Sequence, residues 1–103
     1  MPPKKERLHT YDFKNLGRRA QLRSPLFDVA YAPSPSVKVA CVVAKKQVKR
    51  AVDRNTVRRK IYHAWRAASF TKPYAVIIHP RREALLSPVS KISEEMVKLF
   101  ATL

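Results

Sequence analysis

The sequence predicts a single small α+β domain, and three observations carry that prediction. A chain of 103 residues with 46% apolar side chains can close one modest core and has too little left for a second. Apolar and polar side chains alternate through residues 26–32 and 37–44, the period-two pattern of strands. From residue 47 to 69 the period changes to three and four, which marks one long helix.

In chain order, residues 1–6 hold two prolines and two lysines and read as a flexible basic tail ahead of a single domain over 7–103. Leu8, Tyr11 or Asp12, Phe13 and Leu16 suggest a short amphipathic helix, with Thr10 as its cap and Gly17, the one glycine of the chain, as its stop. The strand at 26–32 puts Phe27, Val29 and Tyr31 on one face. Pro33, Ser34, Pro35 and Ser36 form a turn, and the strand at 37–44 follows with Val37, Val39, Cys41 and Val43 facing one way. Two adjacent strands with a short connection are expected to pair as a hairpin.

On the long helix, Val57, Ile61, Ala64, Trp65 and Ala68 form one apolar stripe. Residues 70–73 break that helix, 74–79 are β-branched and apolar enough for a central strand, and Pro80 ends it. After a basic loop at Arg81 and Arg82, Ser93 is expected to cap a last helix. Met96, Val97, Leu99 and Phe100 form its apolar face, and Glu94 and Glu95 lie in its first turn.

Charge narrows the function. Lys and Arg number 22 against 7 Asp and Glu, a net +15, and an excess of this size has to be answered by an anionic partner. Nine of those basic residues fall between Lys45 and Arg66, where Asp53 is the one acid, so the charge is concentrated and not interleaved into ion pairs. Arg54, Arg58, Tyr62 and Arg66 recur four apart, off the apolar stripe, with Arg50 and Arg59 flanking. A basic ridge of this kind can follow a phosphate backbone.

Other classes are disfavoured. No apolar stretch approaches the roughly 20 residues of a membrane span, and the basic start at Met1 to Arg7 is not followed by a signal-peptide run, so a cytoplasmic protein without a membrane role is expected. One cysteine, Cys41, forms no internal disulfide, and His9, His63 and His79 are too scattered for a metal site. Carboxylates are scattered too, no glycine-rich phosphate loop exists, and no catalytic constellation stands out. No helix-turn-helix spacing precedes the long helix, which argues against a duplex-DNA reader.

The segment 44–61, with Lys45-Lys46, Lys49-Arg50, Arg54-Asn55, Val57 and Arg58-Arg59, resembles the signature of the bacterial ribonuclease P protein component. That family is the small basic subunit of the RNA-based enzyme that removes the 5′ leader from precursor tRNA. Arg7-Leu8 and Asp12-Phe13 look like the family's first helix, 74–78 like its late central strand, and the last helix falls where the family has one. The resemblance thus spans nearly the whole chain, with one strong block.

It implies a mixed four-stranded sheet with the long helix in a left-handed crossover, in the order α-β-β-β-α-β-α. Residue patterns by themselves locate two of the three strands ahead of the long helix. It also implies that Lys45, Lys46, Lys49, Arg50, Arg54, Asn55, Arg58 and Arg59 contact ribonuclease P RNA or the precursor tRNA held on it, and the ridge spacing adds Tyr62 and Arg66 to these RNA-binding candidates. A cleft for the single-stranded leader is implied as well, with Phe13 and Tyr31 as its aromatics. Catalysis is then expected in the RNA, with Mg²⁺ bound mainly there, and the protein as a monomer in a 1:1 complex. Thr56 stands where the family usually has a second arginine, and Gly17 near where many members carry a second cleft aromatic. A structural RNA-binding protein of ribosomal type, with no part in cleavage, is the rival reading.

Overall fold

A computed structural model describes residues 20–103. The first helix expected around Phe13, its cap Thr10 and its stop Gly17 lie outside the described residues, as does the 1–6 tail. Four strands, β1 (Ala20–Arg23), β2 (Phe27–Pro33), β3 (Lys38–Cys41) and β4 (Tyr74–Pro80), form one mixed sheet in the order β1-β2-β4-β3. Three helices, α1 (Ala51–Ala68), α2 (Glu83–Leu86) and α3 (Val89–Phe100), complete the domain.

The hairpin is β1 with β2, and not β2 with β3 as the sequence suggested. Ser24 makes the turn: its Oγ accepts from the N–H groups of Leu26 at 3.1 Å and Phe27 at 3.3 Å, and its own N–H donates to Phe27 O at 2.9 Å. Between β2 and β3 lies β4, antiparallel to the first and parallel to the second. The reason is burial. Ala75, Val76, Ile77 and Ile78 are each at most 1% exposed, so β4 is apolar on both faces and has to be flanked on both edges. The parallel pair β3 and β4 is joined through α1, which makes the long helix a crossover.

Pairing register sorts the side chains. Phe27, Val29 and Tyr31 share a face with Val76, Ile78, Val39 and Cys41, while Asp28, Ala30 and Ala32 share the other with Ala40, Ala75, Ile77 and His79. The first face meets Val57, Ile61, Ala64 and Trp65 of α1 and Ile92, Met96 and Phe100 of α3 in one continuous core. Trp65, Phe70 and Phe100 close its end, with ring centroids 4.8 to 5.7 Å apart in tilted and edge-on pairs.

Several boundaries move, and the strand expected over 37–44 is only Lys38–Cys41. The long helix starts at Ala51 and not at Gln47, because the N–H groups of Gln47 and Val48 both turn back to Ala44 O and Arg50 is extended, with φ −83° and ψ 133°. The last helix begins at Val89, four residues before Ser93, with Pro88 as its N-cap, so Glu94 and Glu95 lie in its middle. The stretch after Arg82, to which residue patterns assigned no element, contains the one-turn helix α2. Lys60 of α1 holds that turn in place: its Nζ donates to Leu85 O at 2.6 Å and Ser87 O at 3.0 Å.

Candidate nucleic-acid interface

The apolar stripe of α1 faces the core, and several of its polar side chains are turned outward. Arg59, His63 and Arg66 are exposed, as is Asn55, and Arg58 and Tyr62 are half-buried between them and the sheet. Together with Val52 these residues line an open concavity of about 680 Å³ along the helix. Asn55 Oδ1 accepts from Arg58 Nη1 at 2.9 Å, one turn along, which aims that guanidinium along the helix surface. His63, to which residue patterns assign no role, joins this surface because it stands four residues after Arg59 and three before Arg66.

The loop ahead of α1 carries the second half of the charge. Lys45, Lys46, Lys49 and Arg50 are all exposed, while Val43 and Val48 on either side are 8% and 5% exposed and anchor the loop in the core. Arg54 turns back onto this loop: its Nη1 donates to Val48 O at 3.1 Å and Lys49 O at 2.7 Å. On the far side, Gln47 Oε1 accepts from the N–H of Arg82 at 3.3 Å. The basic loop therefore lies beside Arg81, whose guanidinium pairs with Asp28 at 2.8 Å.

Chemically the surface offers cations and no reactive group. Burial pushes the Cys41 thiol up to about 12, so it is a core side chain and no nucleophile. Among the described residues no group of His, Cys, Asp and Glu is placed to hold a metal ion, and no helix is long and apolar enough to cross a membrane.

The family model for ribonuclease P matches the chain over residues 1–103. The chain belongs to the ribonuclease P protein family. Its fold is that of solved family members. The ribonuclease P protein of Thermotoga maritima superposes with a TM-score of 0.79 at 19% identity, covering 95% of this chain and 97% of that one. The Staphylococcus aureus ribonuclease P protein gives 0.76 at 18% identity, with 94% of each chain covered. Membership implies a subunit of ribonuclease P, an enzyme of tRNA processing, and an RNA partner.

Within this ribonuclease P fold the sequence-predicted residues separate into groups. Asn55, Arg58, Arg59 and Arg66 share the concavity on α1, Lys45, Lys46, Lys49 and Arg50 are exposed in the loop ahead of it, and Lys46 borders a separate hollow with Asp28, His79 and Arg81. Tyr62 borders it with its ring, while its hydroxyl accepts from the N–H of Cys41 at 3.2 Å. Thr56 donates its hydroxyl to Val52 O at 3.1 Å, one turn back along the helix. Tyr31 lies on the helix-covered face, half-buried, with its ring edge-on to Tyr74 at 5.5 Å and 83°. Phe13 lies outside the described residues.

Proposed function

We propose that this chain is the ribonuclease P subunit that binds the catalytic RNA and the 5′ leader of precursor tRNA, and so promotes removal of the leader. The observation that carries this reading is the cation-rich 45–50 loop and outer face of α1, where Lys45, Lys46, Lys49, Arg50, Arg59 and Arg66 are exposed and take no part in the ion pairs among the described residues. Lys45, Lys46, Lys49 and Arg50 neutralise phosphates at one end. Arg58, Arg59 and Arg66 continue along the helix, with Asn55 fixing Arg58 and the Tyr62 ring at the border, while Arg54 turns back onto the loop and spends its donors on the fold.

Bond cleavage belongs to the RNA in this proposal, with Mg²⁺ bound mainly there. Phe13 and Tyr31 supply stacking for unpaired leader bases, worth about 1 to 3 kcal/mol per base where a ring face is free. The chain acts as a monomer, 1:1 with the RNA, in the cytoplasm.

The test is cleavage of a precursor tRNA by a bacterial ribonuclease P RNA at low Mg²⁺, with and without this protein. Stimulated cleavage at the mature 5′ end is expected. Tight RNA binding with no stimulation would favour a structural RNA-binding protein of ribosomal type instead.

A further inference from the structure

Arg54 occupies the centre of the basic block, yet its side chain leaves the outward surface. Both N–H donors of Nη1 are spent on consecutive carbonyls, Val48 O at 3.1 Å and Lys49 O at 2.7 Å, and the side chain is half-buried. Those two carbonyls lie in a segment that is neither helix nor strand, between the turn at 45–47 and the extended Arg50. Without a donor there, they have no partner in the regular structure, and charged donors make the stronger hydrogen bonds. Two other ties hold the same loop: Val48 is buried in the core, and Gln47 Oε1 accepts from the N–H of Arg82.

We propose that Arg54 is a positioning residue for RNA binding: it clamps the 45–50 loop to the first turn of α1 so that Lys49 and Arg50 meet phosphates with their backbone already ordered. The inference rests on the reading of that loop as an RNA contact. An ordered loop avoids the entropic cost of fixing its residues when RNA arrives. Arg54 therefore acts on affinity through Lys49 and Arg50, and its own charge adds no separate phosphate contact.

The experiment uses the full chain and a bacterial ribonuclease P RNA, with Arg54→Ala, Arg54→Met, the pair K49A/R50A, and the triple combination with R54A. Arg54→Met keeps the helix-compatible stem and removes only the donors, which separates loss of the clamp from damage to α1. In the RNA-free protein, both Arg54 variants are expected to speed tryptic cleavage after Lys45, Lys46, Lys49 and Arg50 while the helical circular dichroism is retained. Cleavage that stays as slow as in the parent overturns the clamp.

Binding is then measured from about 50 to about 200 mM salt, a range over which removing one neutralised phosphate shrinks the fall in affinity by about threefold. The triple variant is expected to match K49A/R50A in affinity and in salt response within twofold. Fold-losses that multiply, with a further threefold change in salt response from R54A, mean that Arg54 touches phosphate directly and overturn the proposal. K49A/R50A binding as tightly as the parent sinks the loop as an RNA contact, and the positioning role with it, by a signature distinct from failure of the clamp.

Discussion

The phenolic oxygen of Tyr62 lies 3.2 Å from the backbone nitrogen of Cys41 and accepts its N–H. Cys41 is the last residue of β3 and Tyr62 sits in the second half of α1, so one hydrogen bond fastens the basic helix to the sheet edge. Tyr62→Phe removes the acceptor and keeps the ring. A loss of about 1 kcal/mol in unfolding free energy is expected from urea titration, the ordinary net worth of such a bond. Parent-like stability would mean that water replaces the hydroxyl at no cost.

Cys41 gives a pH signature. Burial moves its thiol from 9.0 up to about 12, with the nearby Arg58 charge opposing. Above about pH 9 the unfolded chain releases a thiol proton that the folded chain keeps, so the unfolded state is favoured as pH rises. Stability from this group is complete below the ordinary thiol pKa and falls by about 1.4 kcal/mol per pH unit up to the folded value. The stability difference between the parent and Cys41→Ala should show this slope between about pH 9 and 11. A flat difference would refute it.

Lys60 and Arg59 are sequence neighbours with opposite tasks. Lys60 Nζ is spent on the carbonyls of Leu85 and Ser87, whereas Arg59 is exposed beside the concavity. Lys60→Met is expected to lower stability by about 1.5 to 3 kcal/mol and to leave the salt dependence of RNA binding unchanged. Arg59→Ala should do the reverse, reducing the log-log salt slope by about 0.7 to 0.9 at unchanged stability. Exchange of these two outcomes would show that the helix faces are misassigned.

Ser69 ends α1 in the left-handed region, with φ 52° and ψ 44°, the only positive φ among the described non-glycine residues. A side chain there crowds the backbone and glycine does not. Ser69→Gly is expected to stabilise the domain by about 0.5 to 1 kcal/mol, despite the greater freedom it gives the unfolded chain. A thermal midpoint raised by several degrees checks this, and a lowered one would place the unfolded-state entropy above the relieved crowding.

Periodicity made much of this protein legible. The apolar stripe Val57, Ile61, Ala64 and Trp65 is the buried face of α1, and Val39, Cys41 and Val43 turn to the same core as expected. The two-sided apolar run at 74–79 is the central strand β4. Ala20–Arg23 escaped because its alternation runs over only four residues, with Leu22 alone partly buried, too short a run to stand out from the flanking polar sequence.

Local chemistry by itself determined the longer elements, the core face of each and the concentration of charge ahead of and along one helix, because periodic burial and net charge are written residue by residue. Tertiary structure alone decided which strands are neighbours and which basic side chains are outward. β4 separates β2 from β3 because a strand buried on both faces takes the centre of a sheet, whatever its place in the chain. Arg54 and Lys60 turn to backbone carbonyls of segments folded against α1, since a charged donor goes where unpaired acceptors are brought within reach, and that reach exists only once the chain has folded.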